Sequence, residues 1–445
     1  MRKLAFLLLP LALFFPSVAG NTSKNADNTA GAAAPAMSQL KAAAGPAGIL
    51  ALNVPEQADL DPLNDLDNDP RRWITVKASN REERTALATA GMSIEEIDKN
   101  TVSGIATPHA LELITGLGFE IPYNASLAEY ARSLADRDFP PQDAAYHNYG
   151  EMLKVLKDLE KKNPELVSLF SMGKSVENRD IWALRLNPSL KGEEPDTRPG
   201  AFFTGNHHAR EHLSVEVPLL FAVYLCENKT KPEVKKLLET LDIFIAPMIN
   251  PDGAEYDIAT GQYRWQRKNM RLNYDKTIGV DLNRNYGYGW GGQGASSYPG
   301  DDTYRGPNAF SEPETQAVRE FVEARDNIKT LITYHSYSEL ILYPWGRTYD
   351  PVSDKKDLET YKILAGEMAK LTGYTPKQSS GLYITSGDTT DWTYGTKGIF
   401  SFTIELTPTR WGGGGFYPGV SVIGKTVADN IKAAMYLLSV TDNPY

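Results

Sequence analysis

The chain is poor in the residues that would cross-link it. Among 445 residues there is one cysteine, Cys226, so an intrachain disulfide is excluded and stability must come from a buried core. A hydrophobic content of 41% is enough to build one. Cys226 stands inside the apolar stretch VPLLFAVYLCEN, which predicts a buried structural thiol in place of a nucleophile. Positive charge is also short. A formal net charge of -10 and a pI of about 5.3 argue against nucleic acid as a partner. Beyond the N-terminus no stretch approaches the roughly 20 apolar residues of a spanning helix, so no membrane association is expected after processing. No internal repeat is present, and the length predicts two or more folded units.

The N-terminus has Arg2 and Lys3, an apolar run from Leu4 to Phe15 and the small residues Ser17, Val18 and Ala19, the pattern of a secretory signal over 1–19. A secreted protein, extracellular or periplasmic, is therefore expected. Residues 20–70 are rich in Ala, Gly, Asn, Asp and Pro and predict a flexible leader. A small α/β unit is expected over 71–125. Within it WITVKA, TVSGIATP and FEI read as strands, while NREERTALATAG, capped by Asn80, and HALELITGLG read as helices. A polar connection over 126–145 contains Pro140 and Pro141 and is open to an activating protease. From residue 146 to 445, strand-like runs (LVSLFSMG, IWALRLN, AFFTGN, IFIAPMIN, TLITYHS, IFSFTIEL) alternate with helical ones (YGEMLKVLKDLEKKN, VEVPLLFAVYLCEN, SEPETQAVREFVEAR). This predicts an α/β domain with a mixed, mainly parallel central sheet and helices on both faces.

Six histidines occur, and three of them, His207, His208 and His212, crowd into GNHHAREHLS directly after a strand-like run. The carboxyl ends of strands are where open α/β sheets bind ligands. Two metal patterns share these letters. His208, Glu211 and His212 match H-x-x-E-H, in which two histidines on one helical face bind zinc. Alternatively His208 and Glu211 act together from a turn, with a distant third ligand. The inverted motif needs a helix, whereas here the cluster leaves a strand and the helical spacing begins near Ser214. His335, in the strand run TLITYHSYSELILYP, favours the second pattern. His208, Glu211 and His335 then form a three-ligand set with one open position, the arrangement of a catalytic Zn2+.

The stretches HAREHLSVE, INPDG, RKN, GVDLNRNYGYGW, YRGPNAFSEPET, TYHSYSELILYP, LYITSGDTTDW and FSFTIEL follow one another in order. From residue 146 onward the chain thereby resembles the zinc metallocarboxypeptidases, the A, B and T types, and most of all the bacterial T type. The resemblance implies a carboxypeptidase-like fold, one zinc on His208, Glu211 and His335, and no ligand role for His212. It makes Glu405 the general base and Arg267 the oxyanion stabiliser. The family has tryptophan directly before this arginine; here Gln266 holds that place and Trp265 lies one earlier, which leaves Arg264 as the substitute. Asn283, Arg284 and Tyr383 are implied to bind the substrate carboxylate, Arg210 to touch the peptide near the scissile bond, and Asp388 and Thr390 to floor the side-chain pocket. That floor suggests broad tolerance of C-terminal residues. The unit over 71–125 resembles the family's pro-domains, which cover the active site until proteolysis.

The expected function is release of single C-terminal amino acids from peptides and proteins by a monomeric, proteolytically activated enzyme. Its alternatives are an inverted-motif zinc endopeptidase, a carboxypeptidase-fold amidase acting on cell-wall peptides, and a non-catalytic relative. The many loop aspartates leave structural Ca2+ open as a second cofactor.

Overall fold

Apolar residues alternate from Trp73 onward but run consecutively in the centre of the chain, a difference that separates a sheet buried on one face from a sheet buried on both. In the computed structural model the described residues are 69–127, 129–130, 143–259, 263–409 and 413–445. The expected signal over 1–19, nearly all of the leader, and most of the connection with Pro140 and Pro141 lie outside them.

The first sheet belongs to β1 (Arg72–Lys77), α1 (Arg81–Thr89), β2 (Ser93–Ile97), β3 (Thr101–Ala106), α2 (Pro108–Gly116) and β4 (Tyr123–Ser126). Its strands run in the order β2-β3-β1-β4 and are antiparallel throughout. Asn80 caps α1 as expected, its Oδ1 accepting from Glu83 N at 2.8 Å. Ile74, Val76, Leu87, Val102 and Ile114 form a core of this unit's own. Two details differ from the sequence reading. Residues 119–121 are not a strand; Phe119 N bonds back to Ile114 O behind α2, and the edge strand comes at β4. β2 was not expected, because the adjacent Glu95 and Glu96 hide its alternation at a bulge.

The second part contains α3 (Tyr149–Lys162), β5 (Val167–Lys174), β6 (Asp180–Leu186), β7 (Gly200–Gly205), α4 (Leu213–Glu227), α5 (Pro232–Thr240), β8 (Asp242–Ala246) and α6 (Pro251–Ile258). It continues through α7 (Pro313–Glu323), β9 (Ile328–Ser336), β10 (Leu340–Tyr343), α8 (Lys355–Thr372), β11 (Thr375–Gln378), α9 (Thr389–Lys397), β12 (Phe400–Leu406) and α10 (Ile423–Val440). The sheet order is β11-β10-β12-β9-β7-β8-β6-β5. Its centre, β12-β9-β7-β8, is parallel, and antiparallel pairings flank it on both sides, so the expected mixed sheet is observed. Side chains alternate between two cores. Phe203, Ile245 and Phe402 meet α3, α4, α8 and α10 on one face, while Phe202, Phe244 and Leu331 meet α7 and Trp392 of α9 on the other. The run TLITYHSYSELILYP is two strands, because the positive φ angles of Ser338 and Glu339 break it and β10 returns antiparallel to β12.

The described residues cluster as one unit, and the small sheet rests on the large one. Trp73, Ile105 and Leu127 pack against Tyr263, Trp265, Tyr337, Phe416 and Tyr417. Arg71 donates to Trp265 O and Arg264 O, both at 3.0 Å. Among the described residues no helix is long and apolar enough to cross a membrane.

Cys226 lies in α4, buried in the main core, and burial pushes its thiol up to about 12. The thiol is therefore inert in the folded protein. Labelling with a thiol reagent at pH 8 is expected to stay near zero in native buffer and to reach one group per chain in guanidinium chloride.

Candidate active site

Parallel strands bring their carboxyl ends to one edge of the sheet, where β7, β9 and β12 deliver the reactive residues. β7 ends at Gly205, where any side chain would run into the Ser214 carbonyl. The chain therefore turns sharply at Asn206, whose Nδ2 bonds to His208 O and Ala209 O at 3.1 and 3.2 Å. This turn carries His208 and Glu211 back beside β9. In the β9–β12 ladder His335 stands directly opposite Glu405.

His208, Glu211 and His335 are all buried, and one ligand atom from each lies within 4.8 Å of the others. His208 Nδ1 is 2.7 Å from Glu211 Oε1, and His335 Nδ1 is 2.9 Å from Glu211 Oε2. The two imidazole Nδ1 atoms are 3.2 Å apart. Two ring nitrogens and a carboxylate oxygen aimed at one point make a donor set that fits zinc. Burial pushes the Glu211 carboxyl upward, but the charges of His208 and His335 outweigh it and hold the group below its ordinary range. Among the described residues no second group of His, Cys, Asp or Glu has this geometry, so nothing there supports structural calcium.

His212 is turned away from this group. Its Nε2 is 2.9 Å from Asp257 Oδ2, and Asp257 also accepts from Gln266 N at 2.7 Å and from Tyr417 Oη at 3.1 Å. α4 begins only at Leu213, so His208 and His212 do not share a helical face. The inverted motif therefore lacks the backbone it requires.

Around the donor set lies a cavity of about 330 Å³ whose walls include Arg267, Asn283, Arg284, Tyr383 and Glu405. Arg267 donates from Nε and Nη2 to Asp281 Oδ2 at 3.0 and 2.9 Å, and Asp281 Oδ1 is 3.2 Å from His208 Nε2. Asp281 thus fixes a cation and a histidine together, a role that the sequence reading missed although the residue sits in the quoted GVDLNRN. The Arg264 carbonyl accepts from Arg71 and its guanidinium lies over the Tyr256 ring, whereas Arg267 lines the cavity. Arg284 donates to Gly294 O and Asn283 O at 2.9 and 2.8 Å and, among the described residues, forms no ion pair. Tyr383 has its phenol pushed upward by burial, against the pull of Arg284 and Arg267, and it stays a neutral donor.

Glu405 is half-buried at the cavity wall. Burial, and then the negative charge of Glu211, push its carboxyl well above the usual carboxylate range, against Arg267 and Arg284. Asp388 caps α9, accepting from Asp391 N at 2.8 Å, Thr390 Oγ1 at 2.9 Å and Thr385 Oγ1 at 3.0 Å. The Thr390 hydroxyl is thereby committed to Asp388.

The small sheet closes this cavity. Ile94, Glu95 and Asp98 are among its walls, and Arg210 donates to Glu95 Oε1 at 2.5 Å, to Ser93 Oγ at 3.1 Å and to Asp302 Oδ2 at 3.1 Å. Thr85 Oγ1 accepts from Ile384 N at 2.9 Å, and Arg84 donates to Leu382 O, so α1 grips both sides of Tyr383. No sequence signal marked Glu95 or Thr85, because each acts through a contact far away along the chain.

The peptidase M14 profile, zinc carboxypeptidase, matches residues 152–433. The chain is 36% identical to a zinc carboxypeptidase of Saccharothrix mutabilis subsp. capreolus, over 84% of this chain and 90% of that protein. It is 34% identical to human carboxypeptidase A1, over 68% of this chain and 72% of that protein. The crystal structure of carboxypeptidase A from Helicoverpa armigera superposes with a TM-score of 0.69 at 22% identity, covering 84% of this chain and 98% of that one, which supports the fold.

The arrangement separates the two metal patterns experimentally. Purified His335→Ala is expected to lose stoichiometric zinc by atomic absorption, while His212→Ala keeps it. Zinc lost only from His212→Ala would return the metal to the H-x-x-E-H reading.

Proposed function

Because the chain belongs to the zinc carboxypeptidase family, we propose that it releases single amino acids from peptides with a free C-terminal carboxylate, with zinc held by His208, Glu211 and His335. The observation that carries this reading is Arg284, a buried guanidinium without a carboxylate partner among the described residues, in the cavity that the donor set shares. A chain-terminal carboxylate supplies the missing charge through charge-assisted hydrogen bonds. Asn283 and Tyr383 add an amide and a phenol donor beside it.

Zinc, when bound, supplies the Lewis acidity that polarises a carbonyl and lowers the pKa of water. Glu405 accepts the proton of the attacking water and returns it to the leaving amine, for which its upward-shifted carboxyl is suited. Arg267, held by Asp281, keeps a cation beside the carbonyl oxygen as charge develops there. Arg210, once released from Glu95, contacts the peptide near the scissile bond. In the side-chain pocket Asp388 is already answered by a helix N-terminus and two hydroxyls, which weakens its demand for a basic partner and supports broad tolerance of the terminal residue.

The unit over 71–125 acts as a pro-domain in this reading. It lines the cavity with Glu95, engages Arg210 and holds the Tyr383 loop. Export through the N-terminal signal agrees with the enzyme's dependence on activation by another protease.

After limited proteolysis within 128–142, activity on a C-terminally free peptide is expected to rise; equal activity before and after would remove the inhibitory role. The processed enzyme should cleave that peptide but neither its amidated form nor any peptide in the presence of a chelator. Glu405→Gln should keep zinc while kcat falls about a hundred- to ten-thousandfold. In the unmodified enzyme kcat/KM should fall with decreasing pH as Glu405 takes up its proton. That acid limb should lie above the ordinary glutamate value of about 4.3, and full activity in the Gln variant would refute the assignment.

A further inference from the structure

One buried histidine takes no part in the donor set yet is linked by hydrogen bonds to both His335 and Asn283. His207 is fully enclosed. Its Nδ1 lies 3.2 Å from Thr333 Oγ1, which is itself 3.3 Å from His335 Nε2. On its other side Nε2 lies 2.8 Å from Tyr286 Oη and 3.3 Å from Thr389 Oγ1. Thr389 then donates to Asn283 Oδ1 from both Oγ1 and its backbone N, each at 3.0 Å. A continuous buried path therefore joins His335 to Asn283.

Counting donors gives that path one direction. His335 turns Nδ1 toward Glu211 and His208, so a metal in that group takes Nδ1 and leaves the ring proton on Nε2. Nε2–H donates to Thr333, whose own hydroxyl proton then goes to His207 Nδ1. His207 must carry its proton on Nε2, from which it donates to Tyr286 Oη and Thr389 Oγ1. The Thr389 hydroxyl proton is left for Asn283 Oδ1. Together with the Thr389 backbone N–H, that bond orients the Asn283 amide with its oxygen toward α9, and Nδ2 is the donor that remains for the cavity Asn283 lines. Reversing the path would place a proton on His335 Nδ1, where it would oppose metal binding, and would remove one of the two donors that orient Asn283.

We infer that His207 is a positioning residue that sets the tautomer of His335 through Thr333 and the amide orientation of Asn283 through Thr389, so that one hydrogen-bond chain couples metal holding to recognition of the substrate carboxylate. This rests on the metal and carboxylate sites proposed above. It also gives the second imidazole of the HH pair a task distinct from coordination. Outer partners of metal-bound histidines typically change metal affinity about 10- to 100-fold when removed.

The test uses the full-length protein for zinc affinity by chelator competition and for thermal unfolding, and the same protein after limited proteolysis for steady-state kinetics. Thr333→Val is expected to weaken zinc binding about tenfold with KM for a C-terminally free peptide unchanged. Thr389→Val should raise KM and leave zinc affinity alone. His207→Leu should do both, and adding Thr333→Val to it should weaken zinc no further, since both changes cut the same path. Unchanged zinc affinity in Thr333→Val overturns the inference even where His207→Leu does not fold, because the valine variant keeps the side chain's shape. Additive losses in the double variant overturn it as well. A wild-type chain that binds no zinc would instead overturn the metal site on which the inference stands.

Discussion

The register between two parallel strands governs the site. β12 lies against β9 so that Glu405 is opposite His335, and both side chains point to the face where Arg267 and Asp281 wait. A slip of one residue would exchange faces along the whole strand. Phe400, Phe402 and Ile404 would then leave the main core, and Ser401, Thr403 and Glu405 would enter it. The same hydrophobic alternation that builds the core therefore fixes the distance between Glu405 and His335. Function inherits its geometry from packing.

Much of this was legible in the chain. Consecutive apolar positions gave β7, β8, β9 and β12, and the strand ends located His208, Glu211, His335 and Glu405. What escaped the sequence has physical causes. β2 carries Glu95 and Glu96 side by side, and the partner of Glu95 is Arg210, far along the chain. Asp281 reads as a turn residue because its partners, Arg267 and His208, are assembled only by the fold. α8 is capped by Asp354 and ends at Gly373, signals that the sequence reading did not use, while α10 has no side-chain cap to mark its start. TLITYHS marked the end of β9, but the return of the chain as β10 escaped, since positive φ angles at Ser338 and Glu339 have no signature in those letters.

Charge in this interior is handled by sharing. Asp281 answers Arg267 on one oxygen and His208 on the other, and Glu211 divides its oxygens between His208 and His335. Buried ions are costly unless paired and hydrogen-bonded, so each removal would leave a neighbour uncompensated. Arg284 departs from this rule among the described residues, and the proposed substrate carboxylate would supply its counter-charge.

Arg210 shows what sharing allows. Its guanidinium reaches Glu95 from the small sheet and Asp302 from its own domain at the same time, over the ring of Phe416. If the small unit is removed, Asp302 still neutralises the arginine, and the positions vacated by Glu95 and Ser93 become open donor directions. Under the proposed pro-domain role, the small unit would therefore give way to a peptide without a state that holds a naked buried cation. Such an interface would be released by exchange, with electrostatic balance preserved on the side that remains.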